Sequence, residues 1–357
     1  MNMQHHSHGA RWSCAAAALV SALLFGITTP LAKQLLSDAH PLSVAGLLYL
    51  GSGLGLTGLI LVQDRGRFAL GLTPAERPWL AAAVAVGGMA APALLMFGLA
   101  RADAAAASLL LNLEAVFTAV LAWIFFQEAT SRRVILGFAA IFVGSIILVW
   151  PSSLSGHQSP LALAAIAGAC LCWAVDNNLT RKISSGDARS IAAVKGLAAG
   201  ITNVGLALLL QAPFPSVAKS GAALVLGFVG YGLSLVLFIF SLRNLGTART
   251  GAYFATAPFI GSAAAMALYG QTVGWPFWGA AVFMGVGVWL HLTENHEHEH
   301  VHQPLVHSHA HSHDAHHQHQ HDAGWNGQEP HVHEHTHEPL RHRHPHFPDI
   351  HHQHTHG

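Results

Sequence analysis

From Trp12 to about Thr293 the chain alternates long apolar runs with short breaks of proline, glycine and charge; beyond that point large apolar residues become scarce. A helix crossing the hydrocarbon core of a bilayer needs roughly 20 apolar residues. The breaks cut the apolar part into ten such stretches: 13–35, 42–63, 79–99, 103–126, 133–151, 160–180, 189–211, 221–242, 247–270 and 274–293. An all-α polytopic membrane protein follows, because a helix satisfies its backbone polar groups within one segment and can lie in lipid. The first stretch is too long for a signal-peptide core and shows no convincing cleavage site, so it is read as a retained span.

Composition agrees and narrows the function. The chain is 52% hydrophobic and 10% charged, against about 25% charged residues in soluble proteins, which excludes a string of soluble domains. Net charge is zero and no basic patch is interleaved with aromatics, so nucleic acid is excluded as a partner. Cys14, Cys170 and Cys172 all lie in apolar runs and support no disulfide framework. No hydrolytic or redox constellation and no phosphate-binding loop is present. The chain is therefore read as a non-enzyme without a cofactor, driven by an ion gradient.

Lys and Arg give the orientation, since cytoplasmic loops carry the excess. With the N-terminus inside, thirteen of the 17 basic residues fall on the cytoplasmic side, Lys33, Arg101 and Lys219 fall outside, and Lys195 lies within a span. Ten spans return the C-terminus to the cytoplasm. The expected segments are a cytoplasmic N-terminus (1–12) carrying His5, His6 and His8, two membrane units (13–151 and 160–293), and a tail (294–357).

The two units repeat one another. A shift of 143 sets "MFGLARADAAAASLLLNLEAVFTAVLAWIFFQE" (96–128) on "IFSLRNLGTARTGAYFATAPFIGSAAAMALYGQ" (239–271), with Leu99 on Leu242, Glu128 on Gln271 and, further on, Gly144 on Gly287. A shift of 148 sets "LLFGITTPLAK" (23–33) on "LCWAVDNNLTR" (171–181), with Lys33 on Arg181. Five spans per unit is odd, so the second copy crosses in the opposite sense. Inverted five-helix repeats with a site near the midplane are a transporter arrangement.

This 5+5 organisation, the lead-in to the repeated segment and the helix closing in "FFQE" resemble the EamA family of the drug/metabolite transporter superfamily, over residues 13 to about 293. The resemblance implies export of small molecules across the inner membrane, often in exchange for protons, without specifying the cargo. The halves differ, with Pro258 and Gln271 where the first copy has Ala115 and Glu128.

Ionisable groups inside a span are costly and suggest function by default. Glu114 sits mid-span where the other repeat has Ala257, and is the first choice for a cargo or proton-coupling site. Asp176 and Lys195 lie about 8–9 Å inside the cytoplasmic boundary at 1.5 Å rise per residue. They are expected to pair, either as a neutralised structural bridge or in gating or substrate binding. Asn177 and Asn178 flank the acid, and Cys172, one turn away, either joins it or is a small buried hydrophobe. Thr28 and Thr29 hold the equivalent place in the first copy, before Pro30, which frees a backbone carbonyl. Trp150, Trp275, Trp278 and Trp289 read as interfacial anchors.

Of the 29 histidines, 23 follow Asn295. The ligand candidates are His296, His298, His300 and His302; His307, His309, His311 and His313; His316, His317, His319 and His321; and His331, His333, His335 and His337. In an extended segment residues i and i+2 share a face, and neutral imidazole suits nickel, cobalt, zinc and copper. Interspersed Glu297, Glu299, Asp314, Glu334 and Glu338 add hard ligands. The tail is too polar to fold alone and is expected to be disordered without metal.

Together these observations lead to an inner-membrane efflux permease for a divalent transition metal, nickel or cobalt first and zinc next, working by antiport. The alternative is an exporter of a small organic metabolite, amino acid or drug, with the tail as a metal-buffering accessory. The lipid bilayer is the common partner, and a homodimer is compatible with either reading.

Overall fold

The computed structural model describes residues 4–64, 68, 70–126, 132–149, 159–183, 186–245, 250, 253–293, 297–301, 305–311, 331–337 and 341–345. The first unit runs α1 (Gln4–Leu35), α2 (Pro41–Gln63), α3 (Arg77–Ala83), α4 (Ala91–Leu99), α5 (Ala104–Leu110), α6 (Leu113–Phe126) and α7 (Arg132–Val149). The second runs α8 (Pro160–Arg181), α9 (Ala188–Leu209), α10 (Val217–Gly227), α11 (Ser234–Leu245), α12 (Ala257–Tyr269) and α13 (Trp275–Leu292). Seven described helices are long and apolar enough to cross a membrane, and three shorter apolar ones (Ile135–Leu148, Ala257–Tyr269 and Trp275–Leu290) fall where further spans were expected.

Helix starts follow local chemistry. Proline occupies the first turn of α2, α8, α12 and α13, where its missing N–H is not needed. Asp187 and Ser216 accept backbone N–H groups as N-caps of α9 and α10. The third apolar stretch is two α-helices joined by a π-helical segment, Val84–Ala90, and the eighth is likewise joined through Phe228–Leu233. Both segments are glycine-bearing and sit at the same place in the repeat: Gly87 and Gly230 are 143 residues apart. The fourth stretch breaks at Leu111 and Asn112, so Glu114 stands in the first turn of α6.

The helices pack through small residues, as membrane helices do where backbones must approach closely. Gly98 lies against the Ala162 carbonyl, where an added Cβ would come within 2.6 Å, and Gly87 lies against Asp176. The third and sixth stretches therefore run antiparallel. The first and eighth run antiparallel too: Ser241 Oγ donates to Cys14 O at 2.9 Å, Ser21 Oγ donates to Ser234 O at 2.7 Å, and Gly230 lies against Thr28. Gly144 packs on the Ala280 carbonyl and Gly287 on the Gly137 carbonyl, so α7 and α13 are antiparallel. Between α2 and α9, Gly46 faces Val204, Gly200 faces Leu50, and Gly53 and Gly196 face each other.

The tail forms a separate compact unit, Asn295–Phe347. Its described parts are two antiparallel ribbons, β1 (Glu297–Val301) with β4 (Arg341–Pro345) and β2 (Leu305–His311) with β3 (His331–His337). Its alternating sequence has the period of two that a strand requires.

Candidate functional site

Span 4 restarts as α6 at mid-length, and this break sets the Glu114 carboxylate against α8. Asn177 Nδ2 donates to Glu114 Oε1 at 2.9 Å and reaches Thr118 Oγ1 at 3.2 Å. Asn178 Nδ2 donates to Thr118 O at 3.2 Å and to Ala174 O in its own helix at 2.8 Å. Three expected residues, Glu114, Asn177 and Asn178, thus meet on one seam between α6 and α8. Glu114 is partly buried, and among the described residues its hydrogen bond from Asn177 engages one oxygen, Oε1.

Asp176 and Lys195 also meet. Lys195 Nζ donates to both carboxylate oxygens, at 2.6 and 2.7 Å, and Thr180 Oγ1 donates to Asp176 Oδ1 at 3.0 Å. Asp176 is 7% exposed, so this is a buried pair with its lone pairs largely taken. Glu114 belongs to α6 and is held through Asn177 of α8; Asp176 lies one residue before Asn177, about 100° round the same helix. Among the described residues, one carboxylate is paired with a cation and the other accepts a hydrogen bond from a neutral amide.

An aromatic cluster adjoins them. Phe25 packs edge-to-face on Tyr231 and Trp173, at ring separations of 5.7 and 6.4 Å, and tilted on Phe254 at 5.4 Å, and Tyr231 lies 5.3 Å from Tyr49. Trp173 is one turn before Asn177, so the cluster continues the α8 face that carries Asn177. Trp173 Nε1 donates to Gly87 O at 3.1 Å, and Tyr49 OH donates to the same carbonyl at 3.2 Å. Pro92, five residues after Gly87, cannot supply the backbone N–H that a π-helical turn would offer, which leaves this carbonyl to side chains.

Thr28 and Thr29 are buried, and Thr28 Oγ1 turns back to Leu24 O at 2.7 Å. Among the described residues they make no hydrogen bond to the Glu114 cluster. Cys172 is partly buried while Cys170, fully buried, directs Sγ–H to Leu110 O at 3.6 Å. Among the described residues there is no group of three His, Cys, Asp or Glu able to hold a metal ion.

In the tail ribbons, His307, His309 and His311 stand opposite His335, His333 and His331 in register, while His298 and His300 stand opposite His344 and His342. His337 stands opposite Leu305. His296, His302, His313, His316, His317, His319 and His321 lie outside the described residues, as do Glu128 and Trp150.

Sequence reading missed Tyr49, Gly87, Thr118 and Trp173. Two of them had a signal: Gly87 aligns with Gly230, and Trp173 aligns with the aromatic Phe25 under the shift of 148. Thr118 and Tyr49 had none, since their roles depend on which helices become neighbours.

With that geometry established, known proteins place the chain. The EamA-like transporter family matches twice, at residues 12–150 and 160–293. An uncharacterized transporter of Methanothermobacter thermautotrophicus is 24% identical over 262 residues, covering 68% of this chain and 76% of the relative. A solved crystal structure, described simply as that of a protein, superposes with a TM-score of 0.58 at 18% identity, over 77% of this chain and 95% of that one. That likeness concerns the fold.

Proposed function

Because the chain belongs to the EamA-like transporter family, we propose that it is a ten-span efflux permease of the inner membrane. In this reading its termini are cytoplasmic, its two five-helix repeats are inverted, and it carries a small organic solute bearing a cationic group, in exchange for an ion. Support for the inversion comes from paired contacts that exchange under the repeat shifts. Gly98 on Ala162 becomes Ser241 on Cys14, Gly87 on Asp176 becomes Gly230 on Thr28, and Gly144 on Ala280 becomes Gly287 on Gly137.

One observation carries the cargo reading. Lys195 occupies both oxygens of Asp176, whereas among the described residues Glu114 accepts from the Asn177 amide at one oxygen, beside an aromatic cluster. A carboxylate with neutral donors next to aromatic faces suits an ammonium group, which such faces also attract. A borderline transition metal prefers several nitrogen or sulfur ligands. The coupling ion competes for the same carboxylate, giving one group two alternating occupants. Asn177 and Thr118 orient it, and the Asp176–Lys195 pair keeps the neighbouring charge neutral.

The second reading, export of nickel, cobalt or zinc, is favoured by the 23 histidines after Asn295. There the tail gathers ions on the cytoplasmic face for the membrane part. Four cell lines separate the two readings: full chain, a version ending at Thr293, Glu114→Gln, and empty vector. Cellular nickel, cobalt and zinc are measured along with amine-bearing solutes released to the medium. The organic reading expects unchanged metals, solute release that survives truncation, and its loss in Glu114→Gln. Lower metal content in the full chain, lost on truncation, selects the metal reading. If neither metals nor solutes change, export fails altogether.

A further inference from the structure

Two glycines at equivalent places of the two repeats face polar side chains from the opposite repeat. An added Cβ on Gly87 would collide with the Asp176 carboxylate, and one on Gly230 would collide with Thr28 Oγ1. Gly87 and Gly230 are 143 residues apart, Thr28 and Asp176 are 148 apart, and both glycines stand in π-helical segments. Such segments are local departures from the α ladder and often sit at functional positions. The contact made once by the third and sixth stretches is therefore made again by the eighth and first, with a different plug in each seat.

We propose that these are the two constrictions of the pathway: Gly87 seats Asp176 on the cytoplasmic side, and Gly230 seats Thr28 on the opposite side. Transport lifts one plug while the other stays down. In this structure both seats are filled, which closes the path at both ends. The assignment of sides rests on the orientation proposed above; the seats themselves rest on the glycine contacts.

The physical logic is a two-state balance. A methyl group added to a seat crowds only the conformation in which that plug is down, so it shifts the population toward the conformation in which the plug is lifted. Alanine at 87 and alanine at 230 should thus act oppositely, although each is the same small change at the same place in the repeat. A merely structural glycine would loosen its own neighbourhood with no preference for a side of the membrane.

Cys172 is a native reporter. It lies one helical turn from Asp176, toward the middle of the span, and is partly buried, while Cys14 and Cys170 are buried. The full chain carrying Cys14→Ala and Cys170→Ala is placed in sealed vesicles of either orientation and treated with a membrane-impermeant maleimide. Gly87→Ala should raise Cys172 labelling about tenfold from the cytoplasmic face, and Gly230→Ala should raise it by a similar factor from the other face. Thr28→Ala removes a plug without crowding its seat and should mimic Gly230→Ala, which keeps the test available if alanine at either glycine blocks folding.

Labelling from the same face in both glycine variants, or no change in any variant, overturns the seats. If the two variants open to opposite faces but in exchanged order, the seats stand and the assigned orientation falls.

Discussion

The seam between the third and sixth stretches and the seam between the eighth and first are two copies of one packing arrangement that carry different chemistry. In the first, Asp176 faces Gly87, is neutralised by Lys195, and lies beside a carbonyl bonded by Trp173 and Tyr49. In the second, Thr28 faces Gly230 and bonds Leu24 O of its own helix, while Ser21 and Ser234 bond each other across the seam. The positions equivalent to Ser21 and Ser234 are Ala169 and Ala91, both fully buried. Duplication thus preserved the close approach of backbones, which only small residues permit. Single substitutions then loaded one seam with charge and the other with neutral hydroxyls. Lys195 falls on Ala45 when α2 and α9 are matched through Gly46 and Gly196, so the ion pair has no counterpart in the other copy.

The largest way to break this comparison is to remove one partner of the charged seam. Lys195→Met leaves a buried carboxylate unpaired and should cost about 3–5 kcal/mol, read as a large fall in the thermal midpoint of the purified full chain. Asp176→Thr together with Lys195→Ala transplants the other seam's chemistry and should recover most of that loss, since a buried pair replaced as a whole is often close to neutral. If the double variant is as unstable as the single one, the pair contributes more than mutual neutralisation.

A smaller effect is expected at Gly87 O. Trp173→Phe keeps an aromatic ring but removes the indole N–H donor, for about 1 kcal/mol, and some buried packing besides, and adding Tyr49→Phe strands the carbonyl, for about 1–3 kcal/mol of hydrogen-bond loss in all. In the other seam, Ser21→Ala with Ser234→Ala removes both partners at once and should change the midpoint least of the buried substitutions. Additive and equal losses in the two seams would erase the distinction drawn here.

The smallest effect belongs to the exposed link Asp38–Lys219, at 2.6 Å, where hydrogen bonds from Lys219 and then Ser37 hold the Asp38 carboxyl below its usual range. A depressed carboxylate stabilises the fold above its unfolded value, about 3.9, and the contribution is lost as pH falls through the folded value. Asp38→Asn should therefore leave the thermal midpoint at pH 7 nearly unchanged, and should flatten its dependence only below about pH 4.

Much of this was legible in the sequence, for physical reasons. Long apolar runs and the repeat shifts follow from lipid burial and duplication, so Gly144 with Gly287 and Thr28 with Asp176 could be matched in advance. The Asp176–Lys195 pair was readable because consecutive spans bring both residues to similar depths. The Glu114–Asn177 bond was not, since it joins the fourth and sixth stretches, whose adjacency is a property of the whole bundle. Nor were the two π-helical segments, of which only Val84–Ala90 is followed by a proline, Pro92, with Leu235 at the equivalent place of the other, or the break before Glu114 at Leu111 and Asn112. In the tail, the alternation has the period of a strand, and the described stretches pair as two ribbons.

The central claim is that Glu114, and not the paired Asp176, receives the cargo. Its most direct test is modification of the purified full chain in lipid by an apolar carbodiimide, with each carboxylate followed by peptide mass spectrometry and with the exported solute present or absent. Modification is expected at Glu114, suppressed by the solute, with loss of export in proportion to it. Undiminished export by protein fully modified at Glu114, or solute protection seen only at Asp176, would contradict the claim.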